Sequence, residues 1–108
     1  MSSVFEELAG LDRLIHEPAR LAILTALSYC QKADFLFLQR LTGLSAGNLS
    51  VHLARLEEAG LVKTEKQIIA RRTNTQVGIT EDGREAVATH WKKLQDLHDA
   101  AGDWNPGV

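Results

Sequence analysis

A chain of 108 residues has room for one domain with a modest core, and this chain is read as a single domain over 1–108. Its hydrophobic fraction of 44% and charged fraction of 24% exclude wholesale disorder and fibrous repeats. A lone cysteine, Cys30, excludes an internal disulfide and any zinc site built on several thiolates.

The net charge of -2 offers no overall attraction to nucleic acid, but its distribution does. Residues 61–79 hold Lys63, Lys66, Arg71 and Arg72 against Glu65 alone. The longest uncharged apolar stretch, Leu21 to Cys30, falls short of the ~20 residues that cross a bilayer, and the N-terminus lacks a basic segment leading into an apolar one. The expectation is a cytoplasmic protein with no membrane partner.

In chain order, Val4, Phe5, Leu8, Leu11, Leu14 and Ile15 recur at steps of three and four and predict one or two short amphipathic helices, with Gly10 as a break. Pro18 suits the first turn of a helix whose buried stripe is Leu21, Ile23, Leu24 and Leu27, ending near Cys30. Asp34 caps a further short helix carrying Phe35, Leu38 and Leu41, which stops at Thr42-Gly43. Ser45 opens SAGNLSVHLARLEEAG, where Leu49, Leu53 and Leu56 face inward and Gly60 supplies the stop.

After Gly60 the composition turns to β-type, over Leu61–Ala70 and Thr73–Ile79, with Arg71-Arg72-Thr73-Asn74 between them as the hairpin tip. Thr80 caps a closing helix with Glu81 and Asp82 in its first turn, and Val87, Trp91, Leu94, His98 and Ala101 follow at near-heptad spacing. The predicted class is therefore mainly α with a small β-hairpin wing (α+β). A helix-turn-helix at about 34–60, a wing at about 61–79 and a C-terminal helix at about 80–101 make up its second two-thirds.

A helix-turn-helix needs one greasy face to seat its second helix and one small, polar face to meet DNA. Leu49, Leu53 and Leu56 supply the first; Ala46, Gly47, Asn48, Ser50, Val51 and Arg55 are left for the second. Asn48 and Arg55 make directional hydrogen bonds to bases or phosphates, Ser45 and Ser50 reach phosphates, and Val51 suits a thymine methyl group. His52 reads equally as a phosphate contact or as packing. Lys63, Lys66, Arg71 and Arg72 place positive charge on the hairpin; Lys66 is counted among the DNA-binding residues, and in a winged fold the two arginines at the tip reach the adjacent minor groove or its flanking phosphates.

LSAGNLSVHLARLEEAGLVKTEK followed by RRTNTQVGITEDGREAV resembles the winged helix DNA-binding regulators of the broad MarR and ArsR kind, and more narrowly their short stand-alone prokaryotic relatives. The resemblance covers roughly residues 12–90. It implies a dimeric regulator, often a repressor, with N- and C-terminal dimerisation helices, which binds double-stranded DNA. By this resemblance Ser45, Asn48, Ser50, His52, Arg55, Arg71 and Arg72 inherit contact roles.

The chain departs from the metal-sensing members, since Cys30 and the scattered His16, His52, His90 and His98 offer no ligand cluster, and no cofactor is expected. It is also shorter at its N-terminus than typical MarR regulators, where those build much of the dimer interface and effector cavity, so the resemblance allows a small-molecule effector without assigning one.

Val4, Phe5 and Leu8 need cover, as do Val87, Trp91, Leu94 and His98 of the closing helix, and a second subunit would provide it. Trp91 and Trp104 read either as core or as part of that stripe. His90 and His98, eight apart, share a helical face and could titrate together at a dimer contact. Cys30 reads as a small buried hydrophobe rather than a sensor. A winged helix used only for protein contact, docking a partner through Ala46, Gly47 and Val51, is the second functional reading. No nucleophile–base pair, phosphate-binding glycine loop or metal-ligand spacing points to an enzyme.

Overall fold

The structure is a computed structural model that describes residues 3–107. Five helices and a three-stranded sheet follow the order α1 (Val4–Ala9), α2 (Pro18–Cys30), β1 (Lys32–Asp34), α3 (Phe35–Thr42), α4 (Ala46–Glu58), β2 (Val62–Ile69), β3 (Arg72–Ile79) and α5 (Glu81–Gly102). This is an α+β winged helix-turn-helix. Among the described residues no helix is long and apolar enough to cross a membrane.

Caps account for most boundaries. The Ser3, Asp34, Ser45 and Thr80 side chains each accept a backbone N–H three residues ahead, which satisfies one of the orphan donors that every helix start exposes. Gly60 ends α4 in a left-handed conformation (φ 78°), and two bonds close the end: Gly60 N–H to Glu57 O at 2.9 Å, and Leu61 N–H to Leu56 O at 2.9 Å. That pairing turns the chain sharply into β2, and buried Leu61 fixes the exit.

Ile23, Leu24 and Leu27 of α2, Leu38 of α3, Leu49, Leu53 and Leu56 of α4, Leu61, and Val62 and Val77 of the sheet form one core with Val87 of α5. The sheet runs β1-β3-β2, all antiparallel, with Ala33 opposite Val77 and Val62 opposite Ile79. β1 has no counterpart among the elements expected from sequence, where Asp34 reads only as a cap. Its three residues pair because Gln31, at φ 66°, turns the chain after α2 and its carbonyl accepts Ile79 N–H at 3.0 Å.

Several expectations are corrected. The hairpin tip is Ala70-Arg71, not Arg71–Asn74: Ile69 pairs with Arg72, so Thr73 and Asn74 belong to β3. Both tip residues have positive φ (52° and 66°), the two-residue mirror-image turn that matches strand twist, here built without glycine or asparagine. Val87 is in the core rather than on an open surface. The buried positions of α5 are Gly83, Val87, His90 and Leu97, so His90 and Leu97 point inward in place of Trp91 and His98, with Leu94 half-buried between them. His90 and His98 do not share surroundings: His90 is buried and its Nε2 meets His16 Nδ1 at 3.0 Å, whereas the His98 side chain is 85% exposed beside Asp99. Cys30 is exposed, its thiol directed at Ala26 O, because α2 presents its last turn to solvent. Leu41 is exposed as well.

The molecule is elongated, 69 × 25 × 21 Å, with a radius of gyration of 16.9 Å where a compact domain of this length has roughly 13 Å. One cause is α5, whose 22 residues span about 33 Å. α1 packs on it, with Phe5 edge-on to Trp104 at 5.2 Å between ring centroids. Together they form an arm.

Candidate nucleic-acid interface

α3 and α4 form the helix-turn-helix, joined through Gly43, which takes φ 72° to reverse the chain. Leu49, Leu53 and Leu56 seat α4 in the core, and its other face is open: Ser45, Ala46, Gly47, Asn48, Ser50, Val51 and Arg55 are all exposed. The Ser45 hydroxyl oxygen accepts Asn48 N–H at 3.1 Å and keeps its own proton for donation. No acidic residue lies in the first turn of α4, so the partial positive charge of that helix end is left uncompensated, in contrast to α5 with Glu81 and Asp82. Small side chains there let an anionic surface approach the backbone closely.

The wing extends beyond the core, and every residue from Glu65 to Thr73 is exposed, Lys66, Arg71 and Arg72 among them. Its base is tied to α4: one Glu57 carboxylate oxygen accepts both Thr64 N–H at 2.7 Å and Thr64 O–H at 2.6 Å. Thus nine of the ten residues expected at the interface fall into two exposed groups. Ser45, Gly47, Asn48, Ser50, Val51 and Arg55 form the open face of α4, and Lys66, Arg71 and Arg72 form the exposed wing.

His52, the tenth, is half-buried and held from behind: its Nδ1 lies 3.1 Å from Arg20 Nη1 and 3.6 Å from Glu17 Oε2. Of the two roles offered for it, the structure shows packing, against Arg20 and Glu17. Arg20 and Glu17 are absent from the residues expected at the site, although Arg20 falls at stripe spacing with Ile23, Leu24 and Leu27, and a cation on a buried stripe signals a partnered interior charge. Partial burial pushes the Glu17 carboxyl up. Backbone N–H bonds from Arg20 and Ala19, and the charges of His52 and Arg20, outweigh that and hold it below its ordinary value.

Of the residues expected to need a partner's cover, Val4, Leu8 and Leu94 are half-buried within the chain, and Phe5 is exposed while meeting Trp104 edge-on. Trp91 is 47% exposed, its indole N–H donating to Thr25 Oγ1 at 3.0 Å. Beside it an open apolar groove of about 540 Å³ is lined by Pro18, Leu21, Ala22, Thr25, Leu41 and Trp91. Among the described residues no three His, Cys, Asp or Glu side chains converge as a metal site would require.

A family model described as a winged helix DNA-binding domain matches residues 19–98, the span from α2 through most of α5. The chain belongs to the winged helix DNA-binding family. It is 44% identical over 77 residues to an uncharacterized protein of Methanocaldococcus jannaschii, a match covering 71% of this chain and 80% of that one. It is 39% identical over 61 residues to the HTH-type transcriptional regulator YgaV of Escherichia coli, covering 56% of this chain and 62% of the regulator. The structure of a transcriptional regulator homologue from Pyrococcus horikoshii OT3 superposes with a TM-score of 0.81 at 35% identity, over 91% of this chain and 96% of that one. The E. coli MarR fold is shared as well, at a TM-score of 0.71 and 21% identity, over 95% of this chain and 74% of that chain. Of the relatives of this winged helix chain, the E. coli YgaV and P. horikoshii proteins are named as a transcriptional regulator and a regulator homologue.

Proposed function

We propose that the protein is a homodimeric repressor that binds an inverted-repeat operator, with α4 in the major groove and the wing over the neighbouring minor groove. The observation that carries this reading is the open face of α4 beside an exposed basic wing: hydrogen-bonding groups of Ser45, Asn48, Ser50 and Arg55 for the bases and phosphates, and Lys66, Arg71 and Arg72 for the backbone. A net charge of -2 does not oppose it, because the cations are concentrated where the phosphates would lie.

Dimerisation is supported by the arm. α1 has no fully buried residue and the second half of α5 only Leu97, and Val4, Leu8, Trp91 and Leu94 keep apolar surface that a second arm would cover. A two-fold dimer of this kind presents two α4 helices about 34 Å apart, one turn of B-DNA, which requires a pseudo-palindromic site. Repression follows from occupancy of that site. For an effector, the groove beside Trp91 offers apolar space at the junction of head and arm.

The test is fluorescence anisotropy with DNA from upstream of the protein's own coding region, at two salt concentrations, with a scrambled duplex as competitor. Sequence-preferring, salt-sensitive binding is expected, and replacing Arg71 and Arg72 by Gln should reduce the slope of log K against log salt by about 0.9 for each phosphate no longer neutralised. Binding that ignores salt and sequence, or none, would refute the DNA reading and leave protein docking through Ala46, Gly47 and Val51.

A further inference from the structure

Arg20 is only 9% exposed, and its guanidinium reaches three places at once. Nε donates to Leu14 O at 2.6 Å, Nη2 donates to Arg13 O at 3.1 Å, and Nη1 faces His52 Nδ1 at 3.1 Å. Glu17, 3.8 Å from Nη1, supplies the countercharge. A guanidinium has donors and no acceptor, so the bond to His52 forms only if Nδ1 is the unprotonated nitrogen of the ring. A neutral His52 therefore carries its proton on Nε2.

Among the described residues no buried side-chain nitrogen or oxygen lacks a hydrogen-bond partner, and His52 Nε2 makes no bond within the protein, so that N–H is open to solvent. Position 52 lies four residues after Asn48 and three before Arg55, on one stripe of α4. The ring therefore adds a third donor to that stripe.

We propose that Arg20 is a positioning residue for DNA recognition: it locks His52 in the Nε2–H form, so that α4 presents that proton to DNA. The same guanidinium holds the backbone at Arg13 and Leu14, the segment linking α1 to α2, so the base of the arm and the reading face share one hydrogen-bonded centre. A displacement of residues 13–14 would be felt at His52. The proposal rests on the DNA-binding reading but makes a claim about the ring that holds without DNA.

Two measurements test it. Long-range proton–nitrogen correlation spectra of the histidine rings at pH 8, where imidazoles are neutral, should show His52 as a single Nε2–H tautomer. In a folded Arg20→Met variant the ring should lose that single form. For DNA affinity, Gln and Asn separate the two ring positions, since a Gln amide reaches the place of Nε2 and an Asn amide only that of Nδ1. His52→Gln should bind within about threefold of the wild type, and His52→Asn about tenfold more weakly, the loss of one good hydrogen bond.

Arg20→Met should also cost less affinity in the His52→Gln background than in the wild type, because Gln needs no tautomer set for it. If Arg20→Met does not fold, the wild-type spectrum and the Gln/Asn pair still decide. An Nδ1–H ring, or equal affinities for Gln and Asn in a protein that binds DNA, overturns the proposal alone. A wild type that binds no duplex, with its ring in the Nε2–H form, instead overturns the DNA reading.

Discussion

Gly83→Ala should be among the most damaging single substitutions in this protein, although alanine is the better helix former by about 1 kcal/mol. Gly83 is buried in the first turn of α5, and a Cβ built on it would fall well inside van der Waals contact of the Leu61 carbonyl oxygen and 2.9 Å from Ile79 Cγ1. Neither neighbour can yield cheaply. The Leu61 carbonyl accepts Thr80 N–H at 3.0 Å, and Thr80 Oγ1 both donates to Gly60 O at 2.7 Å and accepts Gly83 N–H at 3.0 Å. To admit the methyl group α5 must back away by about 1 Å, which strains the packing by roughly 1–3 kcal/mol and weakens hydrogen bonds worth about 1 kcal/mol each.

After the propensity gain is subtracted, a loss of roughly 2–3 kcal/mol remains, a fall in melting temperature on the order of 10 °C. Thermal and urea melts followed by circular dichroism measure it, with Gly102→Ala as the control: that glycine is on the same helix, and an added Cβ meets nothing within 4 Å. Equal stability of Gly83→Ala and wild type would refute the close docking of α5 on the exit of the helix-turn-helix.

Three further outcomes are expected. Burial, helped by the charges of His16 and Lys93 and opposed by Asp12, holds His90 below its ordinary value. The unfolded chain therefore takes up this proton first: the contribution of neutral His90 is fully present above about pH 6.5 and is lost as pH falls toward the depressed folded value, by no more than about 1.4 kcal/mol per pH unit. Urea midpoints between pH 5 and 8 should show this slope, and His90→Gln should flatten it.

Ala70→Asn, at a left-handed position that alanine tolerates poorly, should raise stability by about 0.5–1 kcal/mol; an unchanged urea midpoint would contradict the strained turn. Leu94→Glu should leave the monomer folded but weaken the proposed dimer at least tenfold by sedimentation; an unaffected dimer would move the interface away from the arm.

The leucines of α2 and α4, the capping residues and the basic wing are legible in the sequence because each is a local pattern: helical spacing, a hydroxyl or carboxylate before a helix, four cations in nineteen residues. Legibility fails where a long-range partner decides. Trp91 draws the stripe of α5 toward itself as the largest apolar side chain, yet His90, one residue earlier, points inward because His16 is there to receive it. Asn74, a habitual turn residue, draws the hairpin tip toward itself, whereas the register opposite Ile69 places the reversal at Ala70-Arg71. Glu17 carries too little local signal, and Arg20 on the buried stripe of α2 signals a partner without naming it, since that partner is a histidine more than thirty residues away.

The Glu57 tether bears on how far an operator for this protein can vary. With one carboxylate oxygen holding both the N–H and the hydroxyl of Thr64, the wing cannot swing away from α4 without breaking two bonds together. Each half of the proposed dimer would then be a rigid caliper whose two points, helix and wing, stand a fixed distance apart. Sites would tolerate little change in spacing inside a half-site. Freedom would lie in the centre between the halves, where only the arms set the distance.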